Sequence, residues 1–134
     1  MKKSGFTLLE LLIVVVIIGV LALIASPTLL NASDQAKNGT VKANVSAASS
    51  SVTSKFALET TKTATEVADE TVADLNTDNT NPIDSANPAF ATSGTAAGSV
   101  VLTPDDANDL IVITGHDKNQ AVILTKRIAA PANN

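Results

Sequence analysis

The chain contains no cysteine, no tryptophan, no tyrosine and a single histidine. The first absence removes disulfide cross-links, thiolate metal sites and a cysteine nucleophile together. The next two leave Phe6, Phe56 and Phe90 as the whole aromatic content, 2% of the residues, so any core must be aliphatic. They also remove the stacking platforms on which single-stranded nucleic acids are held. Cations are sparse as well: nine Lys and Arg stand against thirteen Asp and Glu, for a net charge of −4. Binding to a phosphate backbone relies on clustered cations, so no direct nucleic-acid contact is expected. No Ser-His-acid order, phosphate-binding glycine loop or pair of catalytic carboxylates is recognisable, and the chain is read as non-enzymatic, with no cofactor. His116 falls in an expected turn and is read as solvent-exposed. Asp105, Asp106, Asn108 and Asp109 form an oxygen-rich cluster, but their spacing is not that of an EF-hand, and no metal site is assigned.

What the sequence has in abundance is concentrated at one end. From Phe6 to Ala25 only Thr7 and Glu10 are polar in twenty residues. As a helix this stretch would be roughly 30 Å long, the thickness of a bilayer's hydrocarbon core. Lys2 and Lys3 precede it, whereas twelve of the thirteen acids follow Ala25. The positive-inside tendency then keeps the N-terminus in the cytoplasm and places the remainder outside. Hydropathy alone fits three readings: a membrane anchor, a secretory signal peptide with a Val20-Leu21-Ala22 cleavage tail, and an assembly helix. Glu10 divides them. A carboxylate inside an apolar helix costs about 2.5–3.5 kcal/mol on insertion scales, and therefore usually marks a paired or functional group. A cut after Gly5 would supply the partner, because the new α-amino group of Phe6 on a neighbouring copy would lie within reach of Glu10. Such a buried pair is favourable only in the assembled state.

The run Lys3-Ser4-Gly5-Phe6-Thr7-Leu8-Leu9-Glu10 resembles the prepilin peptidase site of type IV pilins and of type II secretion pseudopilins. That resemblance implies cleavage between Gly5 and Phe6, methylation of the Phe6 amine, and docking of each incoming subunit through Phe6 and Glu10. It further implies that Gly19 and Pro27 are sites of helix flexibility. Physical costs agree with the last point: glycine costs about 1 kcal/mol and proline about 3 kcal/mol in a helix interior.

Beyond Pro27 the apolar residues narrow to a stripe, Val41, Val45, Ala48, Val52 and Phe56, at three- to four-residue intervals, the pattern of an amphipathic helix with a core-facing side. The β-branched Thr60, Thr61, Thr63 and Thr65 suggest that this helix ends near Leu58. A short second helix with a weak apolar face is expected around Val67, Val72 and Leu75. From Asn76 to Gly98 no period is visible and Asn-Pro pairs recur, which reads as a long irregular loop. Three β-rich runs follow, Val100 to Thr103, Leu110 to Thr114 and Ala121 to Lys126, spaced for antiparallel hairpins.

The expected fold is therefore α+β: a long N-terminal α-helix packed against a small C-terminal antiparallel sheet, as in type IV pilins. The expected divisions are a leader peptide at 1–5, a hydrophobic transmembrane and assembly half-helix at 6–27, an amphipathic half-helix at 28–58, a surface αβ-loop at 59–98 and a β-meander at 99–134. The function that follows from the resemblance is a structural pilin forming a homo-oligomeric helical filament for adhesion, motility or DNA uptake. Its partners would be the inner membrane before assembly, the prepilin peptidase and the pilus assembly machinery, with the finished filament outside the cell. The alternatives are a pseudopilin of a type II secretion system, and a secreted or membrane-anchored small binding domain. The tyrosine-proline motif often found in major pseudopilins is missing.

Overall fold

A computed structural model of the chain describes residues 5–131. Met1 to Ser4, and with them most of the expected leader and its two lysines, lie outside the described residues. The class is α+β, as expected. The elements are α1 (Leu8–Leu58), α2 (Ala64–Asp78), β1 (Phe90–Ala91), β2 (Val100–Asp105), β3 (Leu110–His116) and β4 (Val122–Ala129). The chain divides into two units, Met1–Gln35 and Ala36–Asn134.

The first unit holds the beginning of α1, where apolar side chains point in every direction around the helix. Nothing in the unit covers them: every Leu, Ile and Val from Leu8 to Leu30 is 50–91% exposed. The helix is long and apolar enough to cross a membrane. It contains Pro27, whose missing N–H leaves the carbonyl one turn earlier without its usual donor. Next to it the Thr28 hydroxyl donates to the Ala25 carbonyl at 2.8 Å.

The second unit, referred to below as the head, has a core. Val41, Val45, Ala48, Val52 and Phe56, the expected stripe, are all buried and form one cluster with Phe90, Val100, Leu102, Ile111 and Ile113 of the sheet. Each such side chain contributes on the order of 1.5–3 kcal/mol by leaving water. Closest approach occurs at Gly115, where a Cβ would sit 2.8 Å from Val45 Cγ2 and 2.9 Å from Val41 Cγ1, so only glycine lets β3 meet α1 this closely.

The sheet order is β1-β2-β3-β4. β2 to β4 form the expected antiparallel meander, with Leu102 opposite Ile113 and Ile113 opposite Lys126. Two features depart from expectation. β1 adds a fourth strand, parallel to β2 through Phe90 and Val100, so the sheet is mixed. β3 also runs on to His116 across a bulge at Gly115/His116. That extension buries His116, with Nδ1 3.4 Å from the Ser99 carbonyl oxygen, where the sequence suggested an exposed turn.

The segment 59–98 is more ordered than its composition suggests. α2 buries Ala64, Val67, Ala68 and Thr71. Thr63 caps it by accepting from the Glu66 backbone, while the Glu66 carboxylate accepts from the Thr63 N–H at 2.9 Å, which satisfies two otherwise orphaned donors. Asp106, in the turn between β2 and β3, adds a third link by accepting from Thr65 N at 2.7 Å and from the Thr65 hydroxyl at 2.9 Å. The following loop is pinned by amide side chains. Buried Asn81 donates to the carbonyls of Pro88 and Ala97 and accepts from the backbone of Ile83 and Asp84. Gly98, at φ +76°, presses against Asn81 and leaves no space there for a side chain.

Lys55 at the end of α1 pairs with Asp74 and Glu70 of α2, and Lys62 pairs with Glu59 and Glu70. The bond that Lys55 donates to Asp74, with the charges of Asp74 and Glu70, raises the Lys55 pKa above its ordinary value. The bond from Lys62 chiefly lowers that of Glu70.

Candidate processing and assembly site

The residues singled out at the N-terminus fall on either side of the helix start. Gly5, Phe6 and Thr7 are non-helical and exposed, and Phe6 is 85% exposed. A peptidase must draw its substrate into an extended conformation. The Gly5–Phe6 bond meets that need without unwinding a helix, and Gly5 has nothing within 4 Å of where a Cβ would stand.

Thr7 then opens α1. Its carbonyl accepts the Leu11 N–H at 3.3 Å, and its hydroxyl accepts the Glu10 N–H at 3.3 Å. In return, one Glu10 oxygen accepts from both the Thr7 N–H and the Thr7 hydroxyl, each at 2.9 Å. This is a reciprocal capping box, the same device as at Thr63 and Glu66. The Thr-x-x-Glu spacing at Thr7 to Glu10 signals it directly, and a reading focused on the lone carboxylate passes over it. Glu10 is thus positioned within its own chain, next to the residue whose amine cleavage would release. Its two bonds to Thr7 are to neutral donors, and no cation pairs with it among the described residues. Gly19 has nothing within 4 Å of a would-be Cβ, and α1 is helical through both Gly19 and Pro27.

The other candidates lie in the head. Asp105 spends its carboxylate on Asn108, whose Nδ2 donates at 2.8 Å, and Asp106 spends its own on Thr65. Among the described residues, no three His, Cys, Asp or Glu side chains are grouped to hold a metal ion.

The prokaryotic N-terminal methylation motif matches residues 1–26. Over 60 residues the chain is 47% identical to the type IV narrow pilus major component PilA5 of Thermus thermophilus, covering 45% of this chain and 48% of that protein. Over 46 residues it is 44% identical to the type II secretion system core protein G of Pseudomonas aeruginosa, covering 34% of this chain and 32% of that protein. The chain thus matches about half or less of the length of these curated relatives. No solved structure matches it. The methylation motif includes Gly5 to Glu10, and the two relatives are a type IV pilus component and a type II secretion protein, the two kinds of protein that these residues resemble.

Proposed function

We propose that the chain is a non-enzymatic structural subunit, cut between Gly5 and Phe6, methylated on the Phe6 amine, and polymerised through α1 into an extracellular type IV pilus. The observation that carries this reading is the uncovered apolar helix, with its one carboxylate set beside the cleavage position. Before assembly the inner membrane covers those side chains, with the head outside the cytoplasm. In the filament, the same segments of other copies cover them, and the Phe6 amine of one copy neutralises Glu10 of the next. The expected partners are a prepilin peptidase, the assembly machinery and further copies of the chain. Gly19, within the apolar stretch, and Pro27, at its end, weaken the helix and give it freedom to extend during assembly. The similarity to core protein G supports a second reading, a pseudopilus subunit of a secretion system, with the same cleavage and the same docking pair.

Mass spectrometry of the mature N-terminus tests the class: a chain beginning with methylated Phe6 is expected, whereas a start near Leu23 or an uncut Met1 would end it. Electron microscopy of material sheared from cells separates the two polymers, with long filaments expected for the pilus. The docking pair is tested by Glu10→Gln. A glutamine at this position can still complete the capping box but carries no charge. Membrane insertion and cleavage should persist while filament yield falls; unchanged yield would assign Glu10 to capping alone.

A further inference from the structure

An open β-sheet has two edges, and on each the backbone N–H and C=O groups are free to pair with a further strand. The head closes its two edges in different ways. At β1 the Asn76 side chain takes the place of a neighbouring strand: its Nδ2 donates to the Phe90 carbonyl at 2.8 Å, and its Oδ1 accepts the Phe90 N–H at 3.0 Å. β1 is only two residues long, so that one amide leaves little edge to extend. β4, at the other edge, is eight residues long, and no described strand pairs with its outer side. The Ala130 N–H donates inward, to the Asp109 carbonyl at 2.8 Å. Because an antiparallel ladder alternates, the N–H and C=O groups of Thr125, Arg127 and Ala129 point outward.

Most of that edge invites addition. Val122, Ile123, Leu124, Thr125 and Ile128 suit a pleated surface, and β4 contains no proline and no glycine, the composition of segments that stack into cross-β assemblies. Two consecutive charges interrupt it. Lys126 stands opposite Ile113, a core residue, on the side of the sheet that faces α1, and its Nζ lies 3.5 Å from the Ser46 hydroxyl. The two-residue period calls for an aliphatic side chain at this position, as at Leu124 and Ile128. Arg127 projects to the opposite face, where it is exposed with no acid partner among the described residues. A strand laid along this edge therefore meets a cation on each of its faces. One such strand is the β4 edge of a second copy. Paired antiparallel with both cores on the same side, its Lys126 falls opposite or diagonal to the first Lys126 in each register that overlaps most of the strand, and like charges so placed repel.

We propose that Lys126 and Arg127 guard the β4 edge, preventing copies of the chain from joining by sheet extension. Both charges are needed, because either alone leaves one face of an incoming strand unopposed. Edge lysines and charges turned toward the core side are devices by which open sheets avoid edge-to-edge aggregation. The guard belongs to the head and does not depend on the filament reading.

The test compares full-length variants in detergent at equal concentration, reading the fraction that sediments with thioflavin T fluorescence. Lys126→Thr with Arg127→Thr is expected to raise that fraction roughly tenfold, as loss of gatekeeper charges does. This removes two cations from a chain already at −4, so a rule based on net charge alone predicts the reverse. Lys126→Glu with Arg127→Glu is expected to stay within about twofold of wild type, because charge of either sign blocks the edge. Lys37→Thr with Lys42→Thr, an equal loss of cations away from the edge, is expected to change nothing. Urea unfolding of the head is measured for each variant. Arg127→Thr alone leaves the Lys126 contact with Ser46 in place and is expected to raise the fraction about threefold. If the double threonine variant proves less stable in urea, the decision passes to this single one. A double threonine variant of wild-type stability and wild-type solubility overturns the proposal. So does equal aggregation of the glutamate variant or of the off-edge control, and so does no rise for Arg127→Thr where it decides.

Discussion

Two stretches of α1 are both rich in aliphatic side chains, and their surroundings differ completely. From Leu8 to Leu30 every Leu, Ile and Val is at least half exposed, while the stripe from Val41 to Phe56 is buried to the last residue. Angular distribution is the cause. The first stretch is apolar all round, and no single protein layer can cover a cylinder. The second is apolar on one side, which a small sheet can cover. A stretch of the first kind draws no stability from its own fold and must find an apolar phase elsewhere, in a bilayer or among other copies. A stretch of the second kind forms the core of its own domain.

The contrast is broken or sharpened most strongly by truncating one apolar side chain on each side of it. Phe90→Ala should lower the unfolding free energy of the head by about 3–5 kcal/mol, the usual cost of deleting a buried aromatic. Leu12→Ala should leave it within about 0.5 kcal/mol, as a surface change does. Urea titration of the full chain in detergent measures both, and equal losses would erase the distinction. Next comes Asn81→Ala, which takes the partner from two carbonyls and two N–H groups in partly buried positions. A loss of about 2–3 kcal/mol is expected by the same measurement, and a loss near zero would show that the αβ segment is held by something other than Asn81.

The two capping boxes repeat the comparison on a smaller scale. Thr63→Ala should cost the head about 1 kcal/mol, while Thr7→Ala, with the same bonds in the apolar stretch, should leave the head's unfolding unchanged. The smallest effect concerns acid. Lys62, and secondarily Lys55, hold the Glu70 carboxyl below its ordinary range. A group depressed in the folded state stabilises above its unfolded pKa, and that contribution disappears as the pH falls through the folded value. The melting temperature of the head should therefore drop between about pH 5 and about pH 3, and Glu70→Gln should flatten that slope. Parallel curves would remove Glu70 from the network's contribution. The effect is small because these side chains are partly exposed and screened.

Legibility in the sequence followed the same divide. α1 and the three strands of the meander could be read because hydropathy alone specifies them: an apolar run, then a 3.6-residue stripe, then β-branched blocks. α2 was only faintly visible, since three of its four buried residues, Ala64, Ala68 and Thr71, are too small or too polar to mark a period. β1 was invisible because it is two residues long and is held in place by Asn76, whose amide bonds both the N–H and the carbonyl of Phe90. The burial of His116 depends on a bulge, which a two-residue period does not foretell. At the N-terminus, Gly5, Phe6 and Glu10 stood out by chemistry and resemblance, while the local role of Glu10 as the second half of a cap was missed. That role was written in the four residues from Thr7 to Glu10.

Asp106 has one further consequence. It lies 41 residues from Thr65, yet it accepts hydrogen bonds from both the backbone N–H and the hydroxyl of that residue. The opening turn of a helix normally frays independently of the rest of a molecule. Here it is latched to the tip of a distant hairpin, so hydrogen exchange at the Thr65 amide should keep time with hairpin opening. One carboxylate thereby ties the start of α2 to the β2–β3 turn, in a head that has no covalent cross-link to do so.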